Sequence, residues 1–250
     1  MAVYYNLTDL PQPGNIVAFW QMEESSGQLL DQTTNNHDLT YNGVLYAQSG
    51  IITNGLGLDG TDDYGYTSDS NDWYFGTGNF TLSVWVKFTN ASNMNGRFFN
   101  QNVAGYANFW SIDSFSSEGR IDIAFYWAGT YVAYYTMPFA PSVNTWYHVI
   151  VGRNGTSAFG MINGEVQSLK KYISFGVQDV RNVEANLVIG KREDDGYNPV
   201  EGIIDEPIIW KGVALDVEEQ IDLYSGGAPQ RSGGVSYVPR QSGSCGLHIF

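Results

Sequence analysis

Thr145–Gly164 reads TWYHVIVGRNGTSAFGMING. Trp146, His148 and Ile150 fall on one parity, and Tyr147, Val149 and Val151 on the other. β-Branched and aromatic residues fill both sets, so the spacing predicts a strand covered on both faces. Arg153-Asn154-Gly155-Thr156 supplies residues that tolerate positive φ, which a tight hairpin needs. Ser157–Ile162 then returns, and Asn163-Gly164 turns the chain again. Loops this short force an antiparallel pair, because a parallel crossover takes roughly a dozen residues or more.

The flanks repeat the pattern. Phe80–Phe88, FTLSVWVKF, alternates between Phe80, Leu82, Val84, Val86 and Phe88 on one side and Thr81, Ser83, Trp85 and Lys87 on the other, which predicts a half-buried antiparallel strand. Further strands are expected at 15–22, 39–45, 51–52, 55–64, 97–99, 107–112, 120–127, 131–137, 173–175, 187–190 and 203–210, broken by Gly and Asn. Short strands at such spacing point to a sandwich or jelly roll. Only Asp216–Tyr224 has helical spacing, with Val217, Ile221 and Tyr224 at i, i+4 and i+7. Asp216 and Glu219 are placed for a capping box.

The chain has 250 residues, enough for one all-β domain with a full core. Its 26 acidic and 12 basic residues give a net charge of −14, which disfavours nucleic acid and anionic membranes as partners. One cysteine, Cys245, excludes an intrachain disulfide. No run approaches the ~18 apolar residues of a membrane span. The start, MAVYYNLTDLPQPGN, does not read as a secretory signal.

Residues 1–14 are expected to be an extended arm, 15–225 the sandwich and 226–250 a Gly/Ser-rich tail. The tail has two arginines and no acid, so the remainder is two charges more negative than the whole. Tyr4 and Tyr5 in the arm, and Leu247, Ile249 and Phe250 in the tail, are candidate interface residues, since apolar groups on polar termini suit docking to a neighbouring subunit.

WYHVIVGRNGTSAFGMINGE resembles the central hairpin of laminin-G-like domains in the concanavalin A-like class. GLGLDGTDDY (Gly55–Tyr64), FTLSVWVKF, LVIGKR (Leu187–Arg192) and EGIIDEPIIWKGVAL (Glu201–Leu215) are similar to that family's segments and follow in its order. The resemblance implies an all-β fold of two stacked antiparallel sheets, a jelly-roll sandwich with one short C-terminal helix. It implies binding of glycans or proteins, and in many members a Ca²⁺ ion. A shared fold does not set the function.

Three constellations carry chemistry. Asp31 matches the family's Asp loop, and Asp205 lies in an apolar strand where a lone carboxylate is costly. One reading has both on a structural Ca²⁺ with Glu23 adding an oxygen; the other has each accepting hydrogen bonds from loop amides. Ala124–Tyr135 holds six aromatics, of which Tyr126, Trp127, Tyr131 and Tyr134 are candidate sugar-stacking residues; the other reading is core and protein contact. Glycoside hydrolysis needs two carboxyls on one face, and no single strand carries them, so the expectation is no enzyme. The leading expectation is a structural or binding subunit of a larger assembly, such as a virion decoration, fibre or tail protein made in a host cytoplasm, with glycan binding. A cell-surface lectin exported without a signal peptide, and a hydrolase of the same fold, are the other two readings.

Overall fold

The computed structural model describes residues 7–103, 107–176, 180–191 and 198–227. Sixteen strands and one α-helix follow in order: β1 Ile16–Phe19, β2 Thr40–Asn42, β3 Leu45–Ser49, β4 Asn54–Asp59, β5 Tyr64–Thr67, β6 Phe80–Phe88, β7 Gly96–Asn102, β8 Asn108–Phe115, β9 Arg120–Trp127 and β10 Thr130–Pro138. After these come β11 Trp146–Asn154, β12 Ser157–Ile162, β13 Glu165–Val166, β14 Lys170–Ile173, β15 Leu187–Gly190, β16 Glu201–Lys211 and α1 Val217–Gly227. They form two antiparallel sheets. One runs β13-β12-β11-β6-β16-β4-β3, with β1 also on β16; the other runs β14-β10-β9-β8-β7-β15-β5-β2. The expected two-sheet sandwich is present.

The hairpin at Thr145–Gly164 sits as its spacing requires. β11 ends at Asn154 and β12 begins at Ser157, and Gly155 has φ 60°. Asn163 and Gly164 take φ 49° and 78° between β12 and β13, as a two-residue type I′ turn demands. Gly152 lets the strand approach its neighbours, because a β-carbon there would lie 2.3 Å from the Phe80 carbonyl oxygen and 2.4 Å from the Phe159 ring. Val149 and Val151 face the inter-sheet core with Phe80, Leu82, Val84 and Phe88, opposite Trp110, Ile123 and Phe125 of the second sheet.

The outer face of the first sheet is covered as well, which explains why β11 is apolar on both parities. Trp85 of β6 stacks on His148 at 4.5 Å and on Tyr224 of α1 at 5.7 Å. Leu10, Ile16, Phe19, Ile208, Trp210 and Leu215 form a second, smaller core there. Residues 7–15 contribute to it through two 3-10 turns rather than extended backbone, and Trp210 Nε1 donates to the Pro11 carbonyl at 2.8 Å.

The capping box at α1 forms reciprocally: Glu219 N donates to Asp216 Oδ1 and Asp216 N to Glu219 Oε2, both at 2.9 Å. The buried face of the helix differs from the expected one. Tyr224 points in as expected, but with Gln220, while Val217 and Ile221 are exposed. The sheet offers Trp85 and His148 as a stacking surface, and the face able to meet them wins over the most apolar one. Ile51 and Ile52, expected as a short edge strand, form a bend whose amides serve Asp205.

Candidate functional site

The outer face of the second sheet carries a row of aromatic rings. Ile121, Ile123 and Phe125 of β9 point into the core, so Arg120, Asp122 and Tyr126 point out. Alternation in β8 turns Phe109, Ser111 and Asp113 outward on the same side. In β10, Tyr131 lies opposite Tyr126, and a register shift follows before Ala133. That bulge brings Tyr134, three residues on, to the same face as Tyr131. Five rings from four strands then line up. Phe109 and Tyr126 stack at 5.1 Å and 16°, Tyr126 and Tyr131 meet edge-on at 5.0 Å, and Tyr131–Tyr134 and Tyr134–Tyr172 stack at 4.9 Å each, tilted by 18° and 20°. Tyr131 is 38% exposed and Tyr172 is 49% exposed, so the row reaches solvent.

The structure therefore brings Tyr126, Tyr131 and Tyr134 together. Trp127 does not join them. Its parity turns it to the core side, where it packs partly buried with Arg181 5.6 Å over its ring. Phe109 and Tyr172 were not among the expected residues, because they arrive from strands outside the Ala124–Tyr135 segment.

Below the rings lies a charged floor. Arg120 Nε donates to Asp122 Oδ1 at 2.6 Å, and its Nη1 donates to Glu118. Tyr134 donates its hydroxyl to Asp122 Oδ2 at 3.0 Å. Burial, and then the Asp122 charge, push the Tyr131 and Tyr134 phenols above their ordinary range. Asp113 stands directly opposite Asp122 in the β8–β9 register. Its Oδ2 accepts from Arg97 Nη2 at 2.9 Å and from Ser111 Oγ at 2.8 Å, and Arg97 Nε lies 2.6 Å from Oδ1. Burial raises the Asp113 carboxyl against the pull of Arg97. A same-face carboxylate pair thus exists, across two strands rather than along one, with β-carbons ~4.5–5.5 Å apart as for any directly opposed pair. Each carboxylate is held by a guanidinium.

The metal candidates fall into two places. Asp31 Oδ1 accepts from Phe19 N at 3.1 Å and Thr33 N at 3.0 Å, and Oδ2 from Thr33 Oγ1 at 2.7 Å and His37 N at 2.9 Å. Those four bonds close its loop. Asp205 Oδ2 accepts from Ile51 N at 2.8 Å and Ile52 N at 3.2 Å, while the buried Oδ1 makes no hydrogen bond of full geometry and the Glu206 amide also acts on the carboxylate. Burial holds its carboxyl well above the usual carboxylate range, and the charge of Glu23 pushes the same way. Glu23 accepts from Thr53 Oγ1 and from Asn54 N. Three non-glycine residues beside these two acids have positive φ: Met22 at 58°, Thr53 at 34° and Glu206 at 50°. Glu23 and Asp205 thus form one neighbourhood and Asp31 another. Asp59, Asp62 and Asp63 also cluster, their ligand atoms within 4.8 Å, and Asp59 and Asp63 cap amides of their own turn. Tyr4, Tyr5, Leu247, Ile249 and Phe250 lie outside the described residues, as does Glu193-Asp194-Asp195, an acidic cluster whose sequence reads as a solvated loop.

Comparison with known proteins agrees with the fold. A laminin-G-type family model, described as the concanavalin A-like lectin/glucanases superfamily, matches residues 59–219. No curated protein sequence matches the chain. Among solved structures, the binding domain of Paraclostridial Mosquitocidal Protein 1 superposes with a TM-score of 0.66 at 16% identity, covering 85% of this chain and 52% of that one. The botulinum neurotoxin serotype D binding domain gives 0.60 at 18% identity, with the same two coverages. Domain 4 of AbnA, a GH43 extracellular arabinanase from Geobacillus stearothermophilus in complex with arabinotriose, gives 0.58 at 17% identity, covering 84% of this chain and 98% of that one. The chain thus spans about half the length of the two toxin binding domains and nearly all of the arabinanase domain. At these identities the likeness is one of fold.

Proposed function

The chain belongs to the concanavalin A-like lectin/glucanases superfamily, and on that premise we propose that it is a non-catalytic binding module that takes a saccharide on the outer face of its second sheet. The row Phe109–Tyr126–Tyr131–Tyr134–Tyr172 carries the reading. Aromatic side chains combine an apolar body with polar tips, which matches the amphipathic surface of a sugar. An arabinanase domain of this fold in complex with arabinotriose supports the choice of ligand class.

The floor supports binding without hydrolysis. A glycosidase needs one carboxyl free to give a proton and a second free to attack or to activate water. Arg97 engages both oxygens of Asp113, and Arg120 with Tyr134 engages both of Asp122. Such a module serves a virion fibre or decoration protein and a surface lectin alike. Titration calorimetry after a glycan-array screen tests the reading. Tyr131→Ala and Tyr172→Ala should each weaken saccharide binding about tenfold, the loss of roughly 1–1.5 kcal/mol of ring contact. Wild-type affinity in both variants sinks the site, and release of reducing sugar that stops on Asp113→Asn sinks the non-catalytic reading.

We also propose a structural Ca²⁺ held by Asp205 and Glu23. The fit rests on the buried Asp205 carboxylate, whose Oδ1 makes no hydrogen bond of full geometry, beside a second carboxylate, a hard-oxygen set of the kind Ca²⁺ takes. Asp31 is left out, since each of its oxygens already accepts two hydrogen bonds. An ion that binds only the folded state stabilises it by RT ln(1 + [L]/Kd). Millimolar Ca²⁺ should therefore raise the melting temperature, chelator should lower it, and Asp205→Asn should remove the difference. Identical melts with and without chelator overturn the assignment.

A further inference from the structure

We infer that the saccharide bound by the ring row is a neutral, soluble chain, recognised through phenol hydroxyls and ring edges rather than through charge or flat stacking. The inference rests on the proposed binding site and specifies the chemistry of its ligand.

The ring geometry excludes a flat platform. A surface for planar or crystalline polysaccharide presents ring faces to solvent in one plane. Here Tyr131, Tyr134 and Tyr172 lie nearly parallel, 4.9 Å apart, so each covers its neighbour's face. Phe109 and Tyr126 cover each other in the same way. What remains outward is ring edges and phenol oxygens. Tyr134 already donates its hydroxyl hydrogen to Asp122 and can only accept from a ligand. The hydroxyls of Tyr126, Tyr131 and Tyr172 form no hydrogen bond with any described residue, so they can both donate and accept. Mixed donors and acceptors on a row of edges suit sugar hydroxyls, which have the same dual character.

The charge pattern excludes an acidic sugar. Recognition of a carboxylate or sulfate needs a guanidinium or ammonium to spare. Arg120 is engaged by Asp122 and Glu118, and Arg97 by Asp113. The floor therefore sets three carboxylates against two guanidiniums, on a chain of net charge −14. Its field repels an anion. Lys170 stands at the end of the row, with Nζ 4.5 Å over the Tyr172 ring. It stands nearest the exposed Tyr172 end of the row among the described residues, so an acidic ligand that reversed this preference would use it, and it sets the control.

The test uses the full chain and neutral gluco-, galacto- and arabino-oligosaccharides beside uronic-acid or sialylated counterparts of equal length, measured by calorimetry. The expected result is binding of a neutral chain at least about tenfold tighter than its acidic counterpart, with no retention on crystalline cellulose. Tyr131→Phe and Tyr172→Phe, which remove only a hydroxyl, should each weaken binding several-fold. Tighter binding of the acidic chain, lost in Lys170→Ala, overturns the inference and leaves the binding site intact. So does wild-type affinity in both Phe variants. Absence of binding to every saccharide overturns the proposed function itself, and this inference with it.

Discussion

Arg97→Met should destabilise the fold by about 3–5 kcal/mol, the cost of leaving one member of a buried ion pair uncompensated. Arg97 and Asp113 are 5% and 3% exposed. Both contacts between them are short, at 2.6 and 2.9 Å, and Ser111 adds a third bond to the same carboxylate. Without the guanidinium, Asp113 keeps its desolvation penalty and loses the main group that offsets it, so it must take up a proton or draw in water. The double substitution Arg97→Met/Asp113→Leu removes the charge with its partner. It should recover most of the loss, because an apolar pair of similar volume is often neutral relative to a buried ion pair. Urea denaturation of the two single variants and the double gives the coupling. A cost below about 1 kcal/mol for Arg97→Met would show that solvent reaches the pair, and it would weaken the argument that Asp113 is locked out of catalysis.

The parts of this molecule that could be read from its sequence are those fixed by short-range geometry. The Asn163-Gly164 turn and the Asp216–Glu219 capping box each depend on residues a few positions apart, and each is found where the spacing puts it; FTLSVWVKF is a strand as expected, but the layer over the first sheet buries its polar parity too, so it is not the half-buried strand its alternation suggests. Tyr126, Tyr131 and Tyr134 converge because they belong to one hairpin. The rest depends on register between strands, which alternation along one strand does not specify. Asp113 and Asp122 face each other only because β8 pairs with β9 in one register. Phe109 and Tyr172 join the row from β8 and β14 for the same reason. Trp127 leaves it by parity, and Tyr134 enters it only through a bulge. Glu23 reaches the neighbourhood of Asp205 across most of the chain, while Asp31, whose motif pointed to that site, spends its oxygens on its own loop.

Acid should unfold the protein through His148. The ring is buried, stacked on Trp85, and bonded through Nε2 to Ser83 Oγ at 2.7 Å, while Nδ1 has no partner. Tyr224 of α1 covers it at 6.2 Å. No carboxylate stands among these contacts to stabilise an imidazolium. Burial accordingly lowers its pKa from 6.5 to about 3. The unfolded chain binds this proton below about pH 6.5 and the folded chain only below about 3, so stability rises with pH across that window. The contribution is complete above about pH 6.5 and is lost as pH falls toward 3, a total on the order of 5 kcal/mol. Asp205 acts with the opposite sign. Its raised pKa makes the folded state the better proton binder, so its contribution is present in acid and lost as pH rises past the ordinary carboxylate value. A Ca²⁺ ion there would have to displace that proton, so its stabilisation should grow with pH. The two groups are separable. In chelator, His148→Phe/Ser83→Ala should flatten the acid limb of melting temperature against pH, since it removes the titrating ring together with the hydroxyl it satisfies. Asp205→Asn should leave that limb in place and remove the Ca²⁺ effect at neutral pH. An acid limb unchanged in the His148→Phe/Ser83→Ala variant would show that the buried imidazole does not set it.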